Sequence, residues 1–290
     1  MTTEKQLTLL AVHAHPDDEV FGTGGVLARA AAEGVHTVLV CATKGENGEI
    51  HDPTLDEEEA RPRLAAIREE ELRRAVEILG IDELIFLGYR DSGMVGTPEN
   101  ADPRSFHNAD PDAAAGRVVA IIRRVKPQVV VTYDPRGGYG HPDHIAAHKA
   151  TVAAFDAAAD PDRYPEQNLE PWQADKLYYA ALPLSGLVHM GEVMRERGVP
   201  IPFGEDFDPA SIAVPDEQIT TYVNVEDYIG QKRAALRVHK TQIGEDHFTA
   251  QLPDDMLRQM LGTESFIRAR SLVDAPTPED DLFAGLSTRV

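Results

Sequence analysis

The chain is 290 residues long and 42% hydrophobic, with a formal charge of −21 and one cysteine. That size supports one large α/β domain or a core with an extension, and the acidity argues against nucleic acid or an anionic membrane as main partner. Cys41 alone offers no disulfide or thiolate-rich metal site and is expected inside a strand. No apolar run reaches the length of a membrane helix and "MTTEKQ" holds no cleavable apolar segment, so a soluble, cytoplasmic protein is expected.

Strands and helices alternate along the first half. "LTLLAVHA" (7–14) reads as a strand and "GGVLARAAAEG" (24–34) as a short helix closed by Gly34. "HTVLVCAT" (36–43) is the second strand, and a polar loop leads to a long amphipathic helix at 63–80. "ELIFLG" (83–88) is the third strand, followed by a long loop from Tyr89 to Asp110. A helix at 113–127 precedes the fourth strand, "QVVVTYD" (128–134); the turn "PRGGYG" then opens a helix over 141–159 with Pro142 in its first turn. Later come strands at 176–182 and 219–225 and helices at 186–198 and 226–242. The pattern predicts an α/β fold: a Rossmann-like, mostly parallel sheet flanked by helices in residues 1–160. A C-terminal α+β extension, 161–290, is expected to pack over the active-site edge.

In such sheets ligands gather beyond the carboxyl ends of the strands. "HAHPDDE" ends the first strand, "GYRDSG" the third, and "DPRGGYGHPDH" the fourth. His13 and His15, two apart, are expected on one side of a strand, with Asp17 and Asp18 in the turn. His141, Asp143, His144 and His148 come from the other loop. Neutral imidazoles with a carboxylate suit zinc, and equally a ferrous site, with a position left for water. "GTGG" fails the dinucleotide fingerprint because Leu27 stands at its third glycine, so close helix packing is the better reading and a nucleotide-binding dehydrogenase is disfavoured. Without G-x-S-x-G, and with Cys41 in a strand, covalent acyl transfer has little support.

"HAHPDDEVFGTGG", "YRDSGMVGT", "VVVTYDPRGGYGHPDH" and "HKTQ" together resemble the metal-dependent de-N-acetylases of the LmbE/PIG-L superfamily, most of all the branch of the mycothiol-pathway deacetylase and mycothiol S-conjugate amidase. The resemblance implies one divalent ion per chain, zinc with Fe2+ as the alternative, held by His15, Asp18 and His144. It implies Asp17 as general base, His141 at the oxyanion or leaving amine, Tyr139 at the amide carbonyl and Asp143 as an orienting neighbour. Arg68 and Asp91 would contact the sugar or inositol, with His13 and Glu19 as supports. Gly22 stands where the two mycothiol enzymes carry polar residues, which implies a pocket mouth open to varied aglycones. The expected activity is removal of an N-acyl group from a small amino-sugar substrate such as a GlcNAc-inositol. The alternatives are amide hydrolysis of thiol conjugates in detoxification and a non-catalytic, metal-containing carbohydrate-binding module. Self-association into a homo-oligomer is left open.

Overall fold

The computed structural model describes residues 6–199, 207–244, 247, 249 and 252–286; most of "MTTEKQ" lies outside them. Seven strands form one sheet: β1 (Thr8–His13), β2 (His36–Cys41), β3 (Glu83–Phe86), β4 (Val129–Tyr133), β5 (Lys176–Ala180), β6 (Thr221–Asn224) and β7 (Thr263–Ser271). Their order is β3-β2-β1-β4-β5-β7-β6. The first five run parallel, and β7 runs antiparallel to both β5 and β6.

The helices are α1 (Asp18–Gly22), α2 (Gly24–Ala32), α3 (Glu57–Ala60), α4 (Leu64–Leu79), α5 (Pro111–Val125), α6 (Pro142–Ala157), α7 (Leu184–Arg197), α8 (Ile229–Val238) and α9 (Asp254–Leu261). All six residues of β1 are buried, as expected of a strand covered on both faces. Alternation sends Leu9 and Ala11 to one core with Leu27 of α2, Leu72 of α4 and Leu236 of α8. Leu10 and Val12 go to the other, with Val118 of α5 and Ala147 of α6. Cys41 is buried at the end of β2, as expected.

Three features differ from the sequence reading. Residues after 160 were expected as an extension packed on the core over the active-site edge; their strands β5, β7 and β6 continue the sheet of the core, and Tyr178, Val223 and Phe266 share the cluster of Leu9. Strand β7 and helix α9 were not anticipated. The helix expected over 226–242 stops at Val238, so "HKTQ" forms a turn.

The glycine pair that opens α2 serves close packing. A Cβ on Gly25 would stand 2.5 Å from Val225 Cγ2. The amides of Gly25 and Val26, at the helix N-terminus, donate to the two oxygens of Glu264 from β7, each at 2.8 Å. Lys232 of α8 closes this buried contact at 2.6 Å from Glu264. The end of the helix where a dinucleotide fold places phosphate is thus filled by the protein's own carboxylate.

Candidate active site

From β1 the chain steps outward to β2 and β3, then returns to β4 on the other side of β1. Neighbouring strands whose connections depart in opposite directions leave a crevice at their carboxyl ends. His15, Asp17 and Asp18 enter it from the turn after β1. Tyr139, His141, Asp143 and His144 enter it from the turn after β4 and the start of α6.

His15 Nδ1 and His144 Nε2 are 3.3 Å apart, Asp18 Oδ1 is 3.2 Å from His144 Nε2, and Asp18 Oδ2 is 3.3 Å from His15 Nδ1. Donors bound tetrahedrally at about 2.0–2.1 Å stand about 3.3–3.4 Å from one another, so this set fits a divalent ion of zinc's size. The other ring nitrogens have partners that fix the tautomers. His144 Nδ1 meets the Gly137 carbonyl at 3.2 Å. His15 Nε2 meets Asp143 Oδ2 at 3.2 Å and Asp91 Oδ1 at 3.5 Å. Each ring therefore turns its remaining nitrogen toward the shared space. Gly137 is required there: its φ is +69°, and a Cβ would strike His144 Cβ at 2.9 Å.

The charge balance favours a cation. Burial opposes a charge on His15, but hydrogen bonds to Asp143, Asp18 and Asp91 outweigh it and hold its pKa well above the usual value. Burial likewise opposes the Asp18 carboxylate, yet His144 and His15 pull its pKa well below the ordinary range. The three side chains are placed to hold a divalent ion, His15 and His144 buried and Asp18 half-buried; the ligand atoms of His15, His141 and His144 also lie within 4.8 Å of one another.

Asp17 lies at its edge. Its φ of 108° and ψ of −29° are a strained backbone for a side-chain-bearing residue. Burial raises its pKa to about 6, against the pull of Arg68. His141 Nδ1 accepts the Asp143 amide at 3.1 Å, so the ring's hydrogen belongs on Nε2. Burial and the neighbouring His15 and His144 lower its pKa to about 4, which keeps it neutral. Tyr139 is exposed, its ring edge-on to His144 at 5.0 Å between centroids.

Other expected residues take supporting places. β1 ends at His13, so strand alternation does not carry on to His15; His13 Nε2 pairs with Thr23 Oγ1 at 2.8 Å, away from the metal-binding set. His148 Nδ1 meets the Tyr133 carbonyl at 2.9 Å. Asp143 also accepts from the Ser92 amide at 2.8 Å, the Ser92 hydroxyl and the His107 amide at 3.0 Å. Arg68, expected at the sugar, is 3% exposed; it donates to the Pro16 carbonyl at 2.5 Å and the Gly45 carbonyl at 2.7 Å, and stands 3.5 Å from Asp17. Asp91 is 4% exposed and accepts from the amides of Gly93 at 2.8 Å and Asn47 at 3.0 Å. Gly22 faces Ala180 at the end of β5, where an added Cβ would just make contact at 3.4 Å.

Tyr133 was missed. Its hydroxyl donates to Asp18 Oδ2 at 2.7 Å and accepts from the Ala14 amide at 2.7 Å, while its ring stacks on His144. A tyrosine near the end of a β-branched strand that points at the site was the available signal.

Fold and site together define an α/β protein with a metal-binding centre at the reversal of strand order. Residues 10–155 match the PIG-L family, described as GlcNAc-PI de-N-acetylase, and the chain belongs to it. Among its relatives is the 1D-myo-inositol 2-acetamido-2-deoxy-alpha-D-glucopyranoside deacetylase of Geodermatophilus obscurus, 45% identical over 96% of this chain and 97% of the relative. Two solved structures share the fold at TM-score 0.63 and 21% identity. The N,N'-diacetylchitobiose deacetylase of Pyrococcus horikoshii covers 90% of this chain and 83% of its own. The 4-carboxy-2-hydroxymuconate hydratase GalB of Pseudomonas putida covers 93% and 99%. A hydratase among them means that fold alone does not choose the reaction. No helix among the described residues is long and apolar enough to cross a membrane.

Proposed function

We propose that the protein is a metal-dependent amide hydrolase that removes the acetyl group from an N-acetylglucosaminyl inositol. The observation that carries this is the mutual 3.2–3.3 Å spacing of donors from His15, Asp18 and His144, with Asp17 beside them. The full-length likeness to a deacetylase of the inositol glycoside supplies the substrate class.

His15, Asp18 and His144 would hold the ion, which we assign as zinc. When bound, such an ion acts as a Lewis acid that lowers the pKa of water to about 7 and polarises an amide carbonyl. Asp17, ionised at neutral pH, takes the proton from the attacking water. As a carboxylic acid it then returns that proton to the departing amine. His141, neutral with its hydrogen on Nε2, donates to the oxygen on which negative charge develops, and Tyr139 joins it from the glycine-rich turn. Asp143 orients His15. Arg68 and Asp91 were expected to hold sugar hydroxyls; both are buried, with the two terminal nitrogens of Arg68 and both carboxylate oxygens of Asp91 engaged by protein groups, and we assign them to fixing Asp17 and His15 instead.

The test compares release of the free amino-sugar from the inositol glycoside, from N-acetylglucosamine and from a thiol S-conjugate in which an N-acetylcysteinyl arm acylates the same amine. The expected order places the inositol glycoside first, with measurable activity on the simple sugar. Asp17→Asn should retain the metal and lose about 100-fold or more in turnover, whereas Asp18→Ala loses the metal. Faster cleavage of the S-conjugate would replace the deacetylase reading with the amidase one.

A further inference from the structure

The strained turn that carries Asp17 is held by residues from the far end of the chain. The amide of Asp17 donates to Glu19 Oε2 at 2.9 Å, and Glu19 Oε1 accepts from His239 Nε2 at 2.7 Å. Two residues on, Thr241 donates its amide to Glu71 Oε1 at 2.8 Å and its hydroxyl to Glu71 Oε2 at 2.6 Å. Glu71 lies on α4 one turn after Arg68, which grips the Pro16 carbonyl at 2.5 Å and faces Asp17 at 3.5 Å. These contacts, with the turn joining His239 to Thr241 and the backbone of α4 joining Glu71 to Arg68, make a closed circuit: Asp17, Glu19, His239, Thr241, Glu71, Arg68 and back to Asp17. Glu19 is 1% exposed, and His239 and Thr241 are fully buried.

A backbone held at φ +108° relaxes unless its surroundings fix it on both sides. Here the peptide carbonyl before Asp17 is held by Arg68, and its amide by Glu19. The carboxylate of Glu19 has several rotamers of its own, and the contact with His239 selects the one that reaches the Asp17 amide. Because the turn of His239 and Thr241 is tied at both ends, to Glu19 and to Glu71, neither α1 nor α4 can shift without breaking a buried, charge-assisted hydrogen bond.

We infer that His239 and Thr241, in a turn more than eighty residues beyond the 10–155 family match, are positioning residues that hold the Asp17 carboxylate against the reacting water. They touch neither substrate nor metal and act through Glu19, Glu71 and Arg68. The inference rests on Asp17 being the general base.

A double-mutant cycle on the metal-loaded enzyme tests it, with His239→Leu, Asp17→Asn and the pair assayed by acetate release from the inositol glycoside. His239→Leu should lower kcat by about tenfold to a hundredfold, with KM and bound metal unchanged. His239→Gln, which keeps an N–H donor for Glu19, should recover most of that loss. In the Asp17→Asn background His239→Leu should cost nothing more, because the residue it positions no longer acts. A loss of equal size in both backgrounds, or parental kcat in His239→Leu, would overturn the inference. Parental turnover in Asp17→Asn alone would overturn the base assignment itself. If His239→Leu does not fold, Thr241→Val gives the same cycle from the other end of the circuit: a loss of kcat confined to the Asp17 background supports it, and an equal loss in both overturns it.

Discussion

The ring of Tyr133 lies against that of His144, with centroids 4.2 Å apart and planes 13° from parallel. From that position its hydroxyl reaches Asp18 Oδ2 at 2.7 Å, so one side chain braces two of the three proposed metal ligands. Tyr133→Phe keeps the stack and removes the brace. Metal affinity should fall about tenfold, read by competition with a chromogenic chelator, while the fold loses only about 1 kcal/mol. An unchanged affinity would mean that the His15 amide, which also donates to Asp18 Oδ2 at 2.7 Å, suffices.

Asp91 separates two readings of the pocket. If it orients His15 through the 3.5 Å contact, Asp91→Ala lowers metal affinity about tenfold to a hundredfold, and activity follows metal occupancy. If it holds sugar hydroxyls, metal affinity stays at the parental value and KM rises. Affinity titrations beside saturating-metal kinetics distinguish the two.

Metal binding should release protons. Asp143, Asp18 and Asp91 keep His15 protonated in the metal-free protein against the effect of burial, and coordination through Nδ1 requires the neutral ring. Asp17 holds a proton below about pH 6 because of its burial, and a nearby cation expels it. Both shifts are upward, so both protons are present at low pH and leave on loading. About one proton per ion should be released at neutral pH and more than one below pH 6, with affinity falling as pH falls. Calorimetry in buffers of different ionisation enthalpy measures this; identical heats across buffers would contradict it.

Gly25→Ala tests the close approach of α2 to the residues after β6. The new methyl would lie 2.5 Å from Val225 Cγ2, and overpacking of that kind costs about 1–3 kcal/mol. Urea unfolding should show the loss, and adding Val225→Ala should recover part of it.

The central half of the fold was legible because β1, β2 and β4 are buried on both faces and read as apolar runs bounded by polar or turn residues. β7 was not. Its "TESFIRARS" mixes Glu264, Arg268 and Arg270 with apolar residues, and only the fold reveals that Glu264 meets Lys232 and Arg268 meets Glu279. α1, five residues inside a charged motif, gave no periodicity to read. The histidine and aspartate clusters could be placed together because both end strands at one edge of the sheet. The contact of His239 could not, since its partner Glu19 lies 220 positions away in sequence and no local pattern records it.

The carboxylate of Glu264 seated on the first amides of α2 has a consequence for what the molecule ignores. Nucleotides and sugar phosphates, abundant in any cell, find their usual berth in such folds at this helix end. Here an internal anion with its own buried lysine holds that berth permanently, and the net negative charge repels further anions. A neutral glycoside meets neither obstacle, so the crevice beside β1 stays open to uncharged sugars amid a large excess of phosphorylated ones.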